Sequence, residues 1–209
     1  MSRPGAGAQA IGGVRVETPH PGPALWVATA GGVGFGPWAP GTWGALVAVL
    51  AFVVAFHRFG LPLYVLTVVA VSGLGIWASN AVEEYFGRAD DGRIVIDEVA
   101  GQLIALTPIV ALHGLPLGSI RLPGVDSLSG GGIDIWWALV VTAFVAFRWF
   151  DIRKPGWVKW AEERFEGGLG VMADDLVAGV LAAGVVTVPA YVVVVARLQA
   201  LVLDGASAG

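Results

Sequence analysis

Two pairs of adjacent acids, Asp97-Glu98 and Asp174-Asp175, each stand at the lip of a long apolar run. An ionised carboxylate in that position is costly unless a cation or a hydrogen-bond donor answers it. Oxygen ligands drawn from separate chain regions suit a hard divalent ion such as Mg²⁺, which takes one or two carboxylates and completes its shell with water and phosphate. Adjacent carboxylates diverge in mid-helix, yet in a first turn both can face one ion. Gln102, one turn below Glu98, is placed to bond it. Asp151 offers a further oxygen ligand, and Lys154 beside it is suited to neutralise a phosphoryl group as charge develops. The candidate metal set is therefore Asp97, Glu98, Asp151, Asp174 and Asp175, with Glu98 or Asp175 as the base that orients water and Lys154 as the catalytic cation.

A glycine-rich approach to the first apolar run, containing Gly34, Gly36, Gly41 and Thr42, lets backbone amides come close to an anion. Those residues, with Lys154, form the candidate phosphate-binding set. Pro40 sets a turn before Thr42, which reads as a helix cap. The segment lacks the GKS or GKT ending of a P-loop. Its competing reading is a tight interfacial turn anchored by Trp38 and Trp43. Glu162, Glu163 and Glu166, interleaved with Trp157, Trp160 and Phe165, read as a solvated interfacial helix. Glu83 and Glu84 read as solvated acids near the site. None of His20, His57 and His113 shares a motif with the acids, which argues against histidine-based zinc or phosphoenzyme chemistry. The absence of Cys excludes thiolate chemistry and disulfides.

The positioning elements are apolar. The 209 residues are 56% hydrophobic and 13% charged, about half the charged share of an average soluble domain. Sixteen acids against twelve bases, with no basic block, argue against a nucleic-acid partner. Five apolar stretches, 45–56, 61–82, 99–120, 135–147 and 176–196, predict an all-α, multi-pass helical membrane protein of about five apolar helices plus interfacial segments. The stretches 45–56 and 135–147 are short and need flanking residues, or a re-entrant path, to serve. Pro108 and Pro116 interrupt the third, which either crosses bent or ends near His113. Residues 1–23 read as a flexible tail, 24–198 as one helical domain and 199–209 as a loose end.

Arg88, Arg93, Arg148, Arg153, Lys154, Lys159 and Arg164 fall on one side of this arrangement, and Arg58, Arg121 and Arg197 on the other. The positive-inside rule puts the first group in the cytoplasm. The acid pairs then sit at cytoplasmic helix starts, whose free amides favour anions.

The blocks GFGPWAPGTWGAL (34–46), IVIDEVAGQLIAL (94–106), FDIRKP (150–155) and GGLGVMADDLVAG (167–179) resemble, in order, those of the phosphatidylglycerophosphatase A family, over roughly residues 26–196. The resemblance implies a Mg²⁺-dependent enzyme of the bacterial inner membrane, with a cytoplasmic site, that converts the phospholipid phosphatidylglycerol phosphate to phosphatidylglycerol and inorganic phosphate. It carries the family's acidic motif onto Asp97, Glu98, Asp174 and Asp175, with Asp151 and Lys154 from the third block. Two features depart from the family: Trp157 stands where a second proline is common after Lys154-Pro155, and the loop 113–134 is long. A transporter, or a non-enzymatic membrane protein with an acidic ion site, is the competing class; its acids would be expected nearer the midplane than at helix starts. A soluble helical protein would bury the same segments and need no detergent.

Overall fold

A computed structural model describes residues 8–11, 14–17, 21–88, 91–112, 119–120 and 133–207. Two antiparallel strands, β1 (Ala8–Ile11) and β2 (Val14–Glu17), precede α1 (Pro23–Ala28), α2 (Pro40–Val54), α3 (Leu61–Phe86) and α4 (Ile96–Ala111). A second antiparallel pair, β3 (Ser119–Ile120) and β4 (Ile133–Asp134), leads to α5 (Ile135–Arg153), α6 (Gly156–Arg164) and α7 (Gly167–Ser207). The first strand pair lies within the segment read as an N-terminal tail, and α7 continues through most of the segment read as a loose end. The remainder of both, and most of the loop 113–134, fall outside the described residues.

Proline marks the helix starts. It occupies the first turn of α1, α2 and α3, where its missing N–H would have had no intrahelical partner. Gly87, at φ 75°, closes α3 in the left-handed region with its N–H donating to Glu83 O at 2.9 Å. The helix α2 begins at Pro40 after an Ala39 N-cap, with no side-chain cap, so the cap expected of Thr42 is not made.

Each of the five apolar stretches contributes a helix, but of the about five apolar helices expected in a multi-pass protein not all reach spanning length. Among the described residues three helices are long and apolar enough to cross a membrane: Leu61–Glu83, Ile135–Arg153 and Gly167–Val192. The 15 residues of α2 and 16 of α4 reach about 22 and 24 Å at the helical rise. That is short of a hydrocarbon core roughly 30 Å thick. Pro108 lies near the end of α4, which stops at Ala111 instead of running through 99–120. Conversely, α5 outlasts its apolar stretch and extends to Arg153, because Arg148 pairs with Asp151 one turn on and both side chains stay largely covered.

Burial distinguishes the helices. Most of α4 is buried, packed chiefly on α7 and also against α2, α3 and α5. Large apolar side chains on the other helices, among them Leu50, Leu66, Val69, Val141, Val145 and Val188, face outward. Such an exterior is suited to lipid and would be a liability in water. The chain is thus a multi-pass helical protein with a buried central helix.

Two glycines set how closely that central helix meets α7. A Cβ on Gly101 would collide with Asp175 O and the Phe147 ring, and one on Gly179 with the Gly101 backbone. Small residues at a crossing let helix backbones approach. Nearby, Tyr64 Oη donates to Leu103 O at 2.7 Å and ties α3 to the same helix.

Candidate functional site

The start of α4 is pinned before its acids appear. Val95 N donates to Ala28 O at 2.8 Å, and Ile94 N to Asp91 O at 2.8 Å. Asp91 is buried and accepts from Arg93 Nε at 2.6 Å and Arg88 Nε at 2.8 Å, while the Arg93 guanidinium lies 3.9 Å over the Phe86 ring. The hydrogen bond from Arg93, reinforced by that from Arg88, holds the Asp91 carboxyl well below the usual carboxylate range.

Asp97 and Glu98 follow in the first turn of α4, with Glu98 N donating to Asp97 Oδ1 at 3.1 Å. The Gly101–Gly179 crossing brings α7 against this turn, and Asp175 completes a group. One carboxylate oxygen each from Asp97, Glu98 and Asp175 lies within 4.8 Å of the others. Glu98 Oε2 and Asp175 Oδ1 are buried without a hydrogen-bond partner among the described residues. Crowded, buried carboxylate oxygens of this kind need a proton or a cation. The donor set is all oxygen and fits a hard divalent ion.

Asp151, Asp174 and Lys154 line the same cavity, of about 610 Å³, without joining that group of three. Asp174 Oδ2 lies 2.8 Å from Lys154 Nζ, which also donates to Glu162 Oε1 at 2.7 Å. Burial works against the Lys154 ammonium, but its hydrogen bonds to Asp174 and Glu162 outweigh this and raise its pKa above that of an ordinary lysine. Asp151 is paired with Arg148. Glu83, Asp97, Glu98, Asp151, Asp174 and Asp175 share the wall with Lys154, so α3 and α5 end where α4 and α7 begin. Glu162, read from the sequence as solvated, also reaches this wall. Lys154 itself sits at φ 43°, a left-handed conformation uncommon for a side chain of its size, between the end of α5 and the Pro155 N-cap of α6.

The glycine-rich segment meets the site from behind. A Cβ on Gly41 would overlap Glu98 Oε1, one on Gly34 the Arg93 carbonyl, and one on Gly44 would press on Val95. The cavity wall includes Glu98 but none of Gly34, Gly36, Gly41 and Thr42. Gln102 does not bond Glu98; its amide is fully buried with neither polar atom partnered among the described residues.

Two participants escaped the sequence reading. Asn80 Oδ1 accepts from Gly168 N at 2.6 Å and so ties α3 to the first turn of α7. Its signal was available, since an amide inside a charge-free apolar stretch needs a partner. Arg148 was read only as a cytoplasmic flank, although its spacing to Asp151 is that of a helical ion pair.

A helical bundle with an apolar exterior, whose polar chemistry is gathered in one acidic cavity at a bundle end, is a membrane protein built around a candidate cation site. The chain belongs to the phosphatidylglycerophosphatase A family, whose model matches residues 26–190. It is 30% identical over 158 residues to a phosphatidylglycerophosphatase A of Haemophilus influenzae, covering 74% of this chain and 83% of that one. A protein of the same name from Escherichia coli is 32% identical over 155 residues, 74% of this chain and 76% of the other. A Bacteroides thetaiotaomicron protein named "Putative phosphatidylinositol-3-phosphatase" is 36% identical over 171 residues, 80% of this chain and 93% of its own length. No solved structure matches the chain. Family membership points to a hydrolase of the phosphatidylglycerophosphatase kind.

Proposed function

We propose that this protein is a Mg²⁺-dependent phosphatase that hydrolyses phosphatidylglycerol phosphate to phosphatidylglycerol and inorganic phosphate at the cytoplasmic face of a bacterial inner membrane. The observation that carries this reading is the approach of Asp97, Glu98 and Asp175 oxygens to within 4.8 Å, in one cavity with Lys154. Asp97, Glu98 and Asp175 would hold the metal. Bound there, Mg²⁺ supplies positive charge to the phosphoryl oxygens and lowers the pKa of water.

The chain's own residues do the rest. Glu98 and Asp175, each with a buried oxygen that has no hydrogen-bond partner among the described residues, are the two carboxylates suited to accept the proton of the attacking water. Attack forms the new P–O bond as the ester P–O bond on the glycerol side breaks, and the proton held by the carboxylate passes on to the leaving oxygen, which restores the base. Lys154 is charged, and turning from Glu162 brings its ammonium toward the phosphoryl oxygens. In this reading Asp174 and Asp151, expected as metal ligands, act through the cations they hold, Lys154 and Arg148. Gly41 acts by letting α2 close on Glu98, and Gly34 by admitting the Arg93 carbonyl. The amides of Gly36 and Thr42 remain candidates for the outer edge of the headgroup. Of the two shorter helices, α4 is enclosed by α2, α3, α5 and α7 and α2 packs on α4 and α5, so a bundle of five apolar helices needs only three of spanning length.

Purified protein in detergent, assayed for phosphate release from phosphatidylglycerol phosphate with Mg²⁺ and after chelation, tests this. Activity that survives chelation, or that is undiminished in both Asp97→Asn and Asp175→Asn, would overturn it. The name of the Bacteroides relative supports a second reading in which a phosphatidylinositol phosphate is the substrate. The same assay on both lipids separates the two by their kcat/KM.

A further inference from the structure

On the outer face of the bundle an apolar groove of about 820 Å³ runs between α3 and α7, with Trp157 of α6 at its rim. Its walls continue those of the acidic cavity. On α7, Asp174 and Asp175 line the cavity, while Leu176 and Val180, next along the helix, line the groove. On α3, Ile76 adjoins the first turn of α7 through its carbonyl beside Gly168, and the groove follows that helix back through Gly73 to Val69. The seven helical steps from Ile76 to Val69 span about 10 Å at the helical rise. The groove therefore leads from the polar end of the bundle into the depth that hydrocarbon would occupy.

We propose that this groove seats an acyl chain of the lipid whose phosphate enters the acidic cavity, an inference that rests on the lipid-phosphatase reading and adds to it a determinant of substrate choice. Three features favour a chain of the substrate over any other occupant. The groove abuts the cavity instead of standing apart from it. Its lining is apolar throughout, the Ser72 hydroxyl being spent on Val68 O at 2.9 Å. Trp157, 70% exposed and one turn from the Lys154 corner, stands where the glycerol region of such a lipid would pass. Gly73 lines the α3 wall, where a Cβ would meet nothing within 4 Å, and Ile104 of the central helix lines the groove between the two walls. Contacts to the non-reacting part of a substrate are a source of binding energy for the chemical step.

Gly73→Leu fills the groove from the α3 wall, in a helix where leucine is a better former than glycine. Val180→Trp fills the same groove from the α7 wall and guards against a folding defect peculiar to one variant. Leu66→Trp, on α3 but outside the groove and 63% exposed, is the control. Phosphate release would be measured in mixed micelles on two substrates with the same phosphorylated headgroup, one with long and one with very short acyl chains. The ratio of kcat/KM for long over short chains is expected to fall on the order of tenfold in Gly73→Leu and Val180→Trp. It should hold in Leu66→Trp. An unchanged ratio in both groove variants overturns the proposal. So does a change in oligomeric mass in those variants with the ratio preserved, which would assign the groove to a second copy of the chain. If the unsubstituted protein releases phosphate from neither substrate, the lipid-phosphatase reading fails before the groove is tested.

Discussion

At the scale of single residues, the site is a set of charges whose partners divide the work. Asp97 and Asp175 have carboxylate neighbours, so exchanging either for Asn removes one negative charge from the proposed metal site and is expected to lower kcat by at least about a hundredfold. Phosphate release and Mg²⁺ titration of each variant check this. Lys154→Gln should cost a comparable factor, on the order of a hundredfold in kcat, with less change in Mg²⁺ affinity. Loss of Mg²⁺ binding in Lys154→Gln would show that the lysine orders the carboxylates and does not serve the phosphoryl group. The Asp91 cluster predicts a pH dependence. Its folded pKa is depressed, so it stabilises the fold above the unfolded carboxylate value of about 3.9, and that contribution is lost as pH falls through the lower folded pKa. Asp91→Asn should therefore melt below the parent at pH 7, by about 1–3 kcal/mol, and the gap should close in acid. Thermal unfolding in detergent across pH measures it.

At the scale of elements, function depends on how α4, α3 and α7 are brought together. Gly101→Val or Gly179→Leu places a side chain into the opposing backbone and should part the Asp175 carboxylate from Glu98. Each is expected to abolish activity, and an undiminished turnover in either would show that the crossing does not set the site. Asn80→Ala removes the bond to Gly168 N and should cost about 1 kcal/mol of stability. Much of this was legible in the chain itself. Proline in the first turns of α2 and α3, and Gly87 after α3, mark helix boundaries by elementary backbone sterics, and Asp97, Glu98 and Asp175 announce themselves by sitting where charge is expensive. The depth of α4 was not legible, because a lipid-facing helix and a buried one are equally apolar. Nor were the pairings Asn80–Gly168 and Lys154–Asp174, which join residues far apart in sequence and exist only once the helices pack. Nor was the close packing around the glycine-rich segment, where a Cβ on Gly34 or Gly41 would meet the Arg93 carbonyl or the Glu98 carboxylate.

At the scale of the whole molecule, the apolar exterior and the acidic end together orient the protein. A chain without cysteine allows that orientation to be tested with one introduced thiol. Lys159 is exposed on α6, and Lys159→Cys should react with a membrane-impermeant maleimide in inverted vesicles but not in intact cells. Labelling from outside intact cells would reverse the assignment of the cytoplasmic face. The last helix carries a consequence of its own. It holds 41 residues, about 61 Å at the helical rise, roughly twice the hydrocarbon thickness. Were its first turn at one membrane surface and the helix upright, about 16 Å of it would project past a bilayer about 45 Å thick with its headgroups, on the far side of a bend that Pro189 permits. A donor dye on the projecting tip and an acceptor beside the cavity would therefore report bending of the helix at Pro189, because the distance between them changes only if the projecting part swings relative to the bundle.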